Sequence, residues 1–182
     1  MAKTLVTFYT QTGNTERIAR SIYQCLPVEK DIRKLSEVDS ADLYKVIFLG
    51  FPIYNFEPPS QVKEFIRNHL YGKNIALFMT MALTSVPVNE QITQLYNLTI
   101  SNCKACAQNS NILGVFDCPG ELSEKTADAL IKSPDPQLRS FGMLRHFSVG
   151  FPNENNISDA ASFAKSIIMS FEKIYTIEHS RS

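Results

Sequence analysis

A doubly wound α/β fold, a five-stranded parallel sheet with helices on both faces, is what this 182-residue sequence predicts. Three observations predict it. Short β-rich runs alternate with helical patterns, which makes βαβ units and hence a parallel sheet. Two of the runs, Lys45 to Gly50 and Asn74 to Met81, are apolar almost throughout, as strands buried on both faces are. There are five such runs, which suits the strand order 2-1-3-4-5. In that order strands one and three are neighbours, and a crevice opens beyond their carboxyl ends.

The first strand is Lys3 to Tyr9, where TLVTFY is β-branched and aromatic. A helix follows from Asn14 to Leu26, with Ile18, Ala19, Ile22 and Leu26 at helical spacing, and Pro27 ends it. Val28 to Lys34 is expected as a short edge strand, and Lys45 to Gly50 as the third. The loop FPIYNFEPPS leads into a helix from Pro59 to Leu70, with Val62, Phe65 and Ile66 on one face. Asn74 to Met81 is strand four, ALTSVP a loop, and Val88 to Gln108 a long helix. Asn111 to Cys118 is strand five. Pro119 to His146 is expected to be irregular, apart from a short helix at Ser123 to Ile131. The last helix is Ser158 to Ile177, capped by Ser158, with Ala161, Phe163, Ala164, Ile167, Ile168 and Phe171 as its apolar face. No repeat or linker interrupts the pattern, so a single domain over residues 1–182 is expected.

Composition narrows the function. Lys plus Arg and Asp plus Glu number 18 each, so the net charge is zero, which argues against a nucleic-acid binder. No apolar run reaches the roughly 18 residues of a membrane span. The start, MAKTLVTFY, lacks a secretory cleavage site and reads as a strand. Four cysteines without disulfide-scaffold density point to a reducing cytoplasm.

Three loops reach the crevice: TQTGNT, FPIYNFEPPS and ALTSVP. The first feeds a helix N-terminus, whose free N–H groups and positive dipole end favour an anion. Thr10, Thr12 and Thr15 add hydroxyl donors, and Gly13 lets the backbone turn tightly. Arg17 is the nearest cation, one turn into the helix, so neutral donors would hold a phosphate there without cleaving it. Neither the G-K-[ST] ending of the nucleotide P-loop nor G-x-G-x-x-G is present.

TQTGNT, Thr10 to Thr15, resembles the flavodoxin phosphate loop, T/S-x-T-G-N-T, in the same place after the first strand. Further along, GFPIYNFEPPSQVKEFI, KNIALFMTMAL, GVFDCPGELSEK and FPNENNISDAASFAKSI resemble a bacterial flavodoxin-like subfamily with a C-x-G segment after strand five. In that subfamily the last helix opens on a His-Pro pair, where this chain has Phe151-Pro152. The resemblance implies FMN, its phosphate on Thr10, Gln11, Thr12, Gly13, Asn14 and Thr15. It implies single-electron transfer between a reductase and an acceptor protein. Two other readings stay open: an FMN-dependent reductase of a small organic substrate, and a flavodoxin-shaped interaction module that has lost its flavin. A phospho-receiver shares the fold, but it needs acids after strand one, where Tyr9 and Thr10 stand.

With the phosphate so placed, the flavin ring meets the other two loops. Pro52, Ile53, Tyr54, Asn55 and Phe56 offer stacking and aimed hydrogen bonds, with Tyr54 or Phe56 as the stacking residue. Flavodoxins flip a peptide in this loop, often at a glycine, to present a carbonyl to N5 of the one-electron-reduced ring. No glycine follows Gly50 in the loop, so Asn55, the residue most tolerant of positive φ, is expected to be the switch. Met81, Ala82, Leu83 and Thr84 are expected beside the ring's pyrimidine edge through their backbone. That loop lacks the acid and the second aromatic many flavodoxins carry.

Cys103 and Cys106 form a CxxC expected at the far end of the sheet, as chance packing; no metal site is expected. Cys118 ends strand five on the crevice side and reads first as a small buried hydrophobe. His69 and His179 read as surface residues, and His146 as a minor candidate for the crevice. The 119–146 segment is longer than a connection needs, so it is either a lid or docking surface, or an extra layer.

Overall fold

The computed structural model describes residues 3–179. Five parallel strands form one sheet in the order β2-β1-β3-β4-β5, as expected. They are β1 Thr4–Phe8, β2 Lys30–Lys34, β3 Val46–Pro52, β4 Asn74–Met81 and β5 Asn111–Pro119. The helices are α1 Asn14–Cys25, α2 Ser60–His69, α3 Glu90–Cys106, α4 Glu124–Ile131, α5 Pro136–Met143 and α6 Glu154–His179. Among the described residues no helix is long and apolar enough to cross a membrane.

The strands bury both faces, so alternate residues feed two cores. On one face Leu5, Ile47, Leu49, Leu77 and Met79 meet Val62, Phe65 and Ile66 of α2 and Cys103 of α3. On the other, Val6, Phe8, Phe48 and Phe78 meet Ile18, Ala19 and Ile22 of α1 and Ala160, Ala164 and Ile168 of α6. Gly50 pairs with Phe8 on one side and Phe78 on the other. A Cβ at Gly50 would overlap the buried Phe78 ring, so any other residue there forces that ring to move.

Between β2 and β3 the chain makes a 3-10 turn, Leu35–Glu37, in place of an α-helix. Leu35, Val38, Ala41 and Tyr44 bury against the sheet from this crossover. The Tyr44 hydroxyl donates to Asp31 at 2.6 Å.

Two expectations need correction. The segment after β5 is not irregular: α4 and α5 form a helical hairpin, closed by a 3-10 turn at Leu144–Phe147. Asp135 caps α5, its Oδ1 accepting from the Gln137 N–H at 2.8 Å, and Pro136 takes the first helical position. And α6 begins at Glu154, not at Ser158. Asn153 and Asn156 cap it reciprocally, each side-chain oxygen accepting the other's backbone N–H. Ser158 lies inside the helix.

Candidate cofactor-binding site

The β1–α1 loop is built as a cradle. Gly13 has φ 91°, a left-handed conformation that side chains rarely adopt, and it lets the chain turn into α1. Its N–H donates to the Thr10 hydroxyl at 3.0 Å, and its carbonyl accepts the Arg17 N–H at 3.0 Å. Gln11 and Thr12 are exposed. The first-turn amides of α1 have no acceptor within the helix.

Two loop side chains turn inward instead. Thr15 is fully buried, and its hydroxyl shares a hydrogen bond with that of Thr80 on β4 at 2.9 Å. The Asn14 amide donates to the Glu121 carbonyl at 3.0 Å. Any contribution of Thr15 to an anion therefore comes from its backbone. Glu16 pairs with Arg20, so its carboxylate is already matched.

The loop after β3 is a tight turn. Tyr54 and Glu57 exchange two backbone hydrogen bonds of 3.0 Å each, with Asn55 and Phe56 between them. Both central residues have positive φ, 50° and 63°, the signature of a type I′ turn. Asparagine suits that conformation; phenylalanine does not. Phe56 is held there by its ring, which packs on the core, and by Asn102 of α3, whose amide donates to its carbonyl at 3.1 Å. The Ile53 N–H donates to the Thr80 carbonyl at 3.1 Å, tying this loop to β4.

Two cavities flank the first two loops. One, of about 420 Å³, is lined by Tyr9, Gln11, Tyr54, Asn55 and residues 57–61. The other, of about 690 Å³, runs from Tyr9, Thr10 and Gln11 toward Leu35, Phe65 and His69. They share Tyr9, Gln11 and Gln61, so they lie side by side next to the cradle. Gln11 donates to the Tyr9 hydroxyl at 3.1 Å. The Tyr54 hydroxyl is pushed up to about 12, by burial first and then by Tyr9. Pro52 and Ile53 are half-buried where β3 ends. In the third loop Met81 and Leu83 are buried in the core, while Ala82 and Thr84 are half-buried in a 3-10 turn. The Thr84 hydroxyl donates to the Met81 carbonyl at 3.1 Å.

A family profile for the flavodoxin domain matches residues 5–165. The chain belongs to the flavodoxin domain family. Flavodoxin-like domain-containing protein BilS of Clostridioides difficile (strain CD3) is 29% identical over 181 residues, covering 92% of this chain and 97% of that protein. Oxidised Flavodoxin 2 from Bacillus cereus superposes with a TM-score of 0.55 at 17% identity, over 93% of this chain and 99% of that one. That likeness shows a flavodoxin fold.

Cys118 is 2% exposed and buried on the α1–α6 face, with its thiol pushed up to about 12 by burial. Cys103 is likewise buried and raised to about 12, and burial raises the half-buried Cys106 as well. Thiols so placed carry little thiolate near neutral pH. The CxxC closes α3 shortly before β5 begins, and Asn102, just ahead of it, reaches the Phe56 carbonyl. His69 is half-buried, 4.9 Å from the Phe65 ring and lining the larger cavity. His146 is exposed, its ring tilted against that of Phe147 with centroids 4.1 Å apart. The side chain of His179 lies outside the described residues. Among the described residues no group of three His, Cys, Asp or Glu could hold a metal ion.

Sequence reasoning missed Tyr9 and Gln61 as lining residues and Glu121 as the partner of Asn14. Tyr9 had a signal: an aromatic at the carboxyl end of a strand beside the switch point. The Thr15–Thr80 and Asn14–Glu121 pairings had none, because the partners are 65 and 107 residues apart.

Proposed function

We propose that this chain is an FMN-binding electron carrier, taking electrons from a reductase and passing them to an acceptor protein. The observation that carries the reading is the cradle of neutral donors at Thr10–Thr15, beside two cavities that share Tyr9 as a wall, the smaller of them also walled by Tyr54. Its donor chemistry fits a phosphate monoester, and the aromatic walls fit a flat ring. FMN, when bound, supplies chemistry that accepts and releases electrons singly or in pairs.

The protein's part is to bind, orient and tune. Thr10 braces the Gly13 amide, so the cradle keeps its shape. Gln11, Thr12 and the amides of Asn14 and Thr15 would hold the phosphate. Tyr54 would supply an apolar surface, and backbone groups of the Pro52–Phe56 and Met81–Thr84 loops would face the ring's polar edge. Four free cysteines suit a reducing compartment such as the cytoplasm.

Purified protein is expected to bind FMN one to one. Mixed anaerobically with NAD(P)H, the loaded protein is expected to stay oxidised until a flavoprotein reductase is added. Rapid reduction by NAD(P)H alone would assign the chain to the substrate-reducing flavoenzymes instead. A chain that binds no flavin would be an interaction module.

The Asn55 turn is proposed as the tuning element. Replacing Asn55 with glycine removes the cost of positive φ and lets its peptide flip freely. The Asn55→Gly variant is expected to move the first-electron potential by about 60 mV, a tenfold change in equilibrium constant for one electron. Potentiometry reads this directly. A potential equal to wild type at unchanged FMN affinity would clear Asn55 of the role.

A further inference from the structure

Glu121 stands where three parts of the chain meet. Its carbonyl accepts the Asn14 amide at 3.0 Å, and its N–H donates to the Phe151 carbonyl at 3.0 Å. Its carboxylate accepts from Arg145 Nη2 at 2.9 Å and from the Gly150 N–H at 3.1 Å. Arg145 Nε donates to the Leu122 carbonyl at 3.1 Å, and the Leu122 N–H donates to the Ser148 hydroxyl at 3.0 Å. These bonds sew the two ends of the α4–α5 hairpin together. The residue at the seam also grips the first residue of α1.

Gly120 brings the seam close. A Cβ there would lie 3.1 Å from the Thr80 Cβ and 3.4 Å from Asn14 Nδ2. The hairpin's base therefore packs directly on the cradle, beside the Thr15–Thr80 hydroxyl pair.

We infer that Glu121, held by Arg145, is a positioning residue for the phosphate cradle. It fixes Asn14, and through Asn14 the aim of the first-turn amides of α1, so the hairpin sets how tightly a phosphate is held without touching it. This rests on the flavin-binding reading above. Hydrogen bonds weaken steeply off axis, so a small tilt of those amides costs affinity. Arg145 makes one charge-assisted bond to the Glu121 carboxylate and a second bond to the adjacent Leu122 carbonyl, so it anchors this stretch at two points. Both side chains are about a third exposed, at 31% and 32%, so a graded loss is expected from breaking the pair.

The test compares FMN with riboflavin, which has the same ring and ribityl chain but no phosphate. Arg145→Met in the full chain is expected to weaken FMN binding about tenfold, or about 1.4 kcal/mol, and leave riboflavin affinity unchanged. Glu121→Gln keeps an acceptor for the Gly150 N–H but loses the charge, so a smaller loss of the same kind is expected. If Arg145→Met does not fold, Glu121→Gln carries the same comparison. A merely structural role would weaken both ligands equally, and that result overturns the inference, as does unchanged FMN affinity. A wild type that binds neither ligand overturns the flavin reading itself.

Discussion

Gly50→Ala is expected to lower the melting temperature by about 10 °C. The added Cβ overlaps the Phe78 ring, which is fully buried between two paired central strands. Neither β3 nor β4 can retreat, because each is hydrogen-bonded on both edges. The ring must leave its rotamer in a close-packed core, at a cost of about 3 kcal/mol. For a chain of this size each kcal/mol moves the midpoint by roughly 2–4 °C. Thermal unfolding of Gly50→Ala against wild type measures it. The double variant Gly50→Ala, Phe78→Leu is expected to recover part of the loss, since the smaller side chain makes room. A single variant that melts with wild type would show that the sheet gives more easily than its packing implies.

Thr12→Asp is expected to weaken FMN binding by about a hundredfold while leaving the fold intact. Thr12 is exposed at the tip of the cradle, so the fold does not depend on it. A carboxylate there opposes the phosphate at close range. Two like charges about 5 Å apart repel by about 3 kcal/mol at an effective dielectric near 20, which is two decades of affinity. Thr12→Asn, equal in size and neutral, is the control. Quenching of flavin fluorescence gives both dissociation constants. The gap between the variants is expected to narrow as salt is raised, because the repulsion is screened. Equal affinities for the Asp and Asn variants would place the phosphate elsewhere.

How much of this was legible in the sequence depends on how local each signal is. The sheet was legible because β3 and β4 are continuous apolar runs, and a run buried on both faces needs no partner to be recognised. Helix α5 was not, because Leu138 and Phe141 are too few apolar residues to show a period, and Asp135-Pro136 reads as a turn until a helix follows. The start of α6 was misplaced because a serine is a conventional cap, whereas the asparagine pair spaced three apart does the capping. At the site, the cradle itself was legible from Thr10 to Thr15. The inward turn of Asn14 and Thr15 was not, since it depends on residues brought in by β4 and β5. Asn55 was legible as a left-handed position. Phe56 was not, because a bulky residue reaches that conformation only when surrounding structure forces it.

That last feature has an effect on how genetics would see this protein. The turn at Phe56 depends on Asn102, 46 residues further along the chain and well inside a helix. A mutational scan reading loop function would therefore score Asn102 beside the loop's own residues. Its neighbour Cys103 would score through the core instead, because only the Asn102 amide reaches across to the loop. The loop's energetic boundary thus runs through α3, not at the ends of the turn, and any graft of this loop onto another scaffold would have to carry that one helical residue with it.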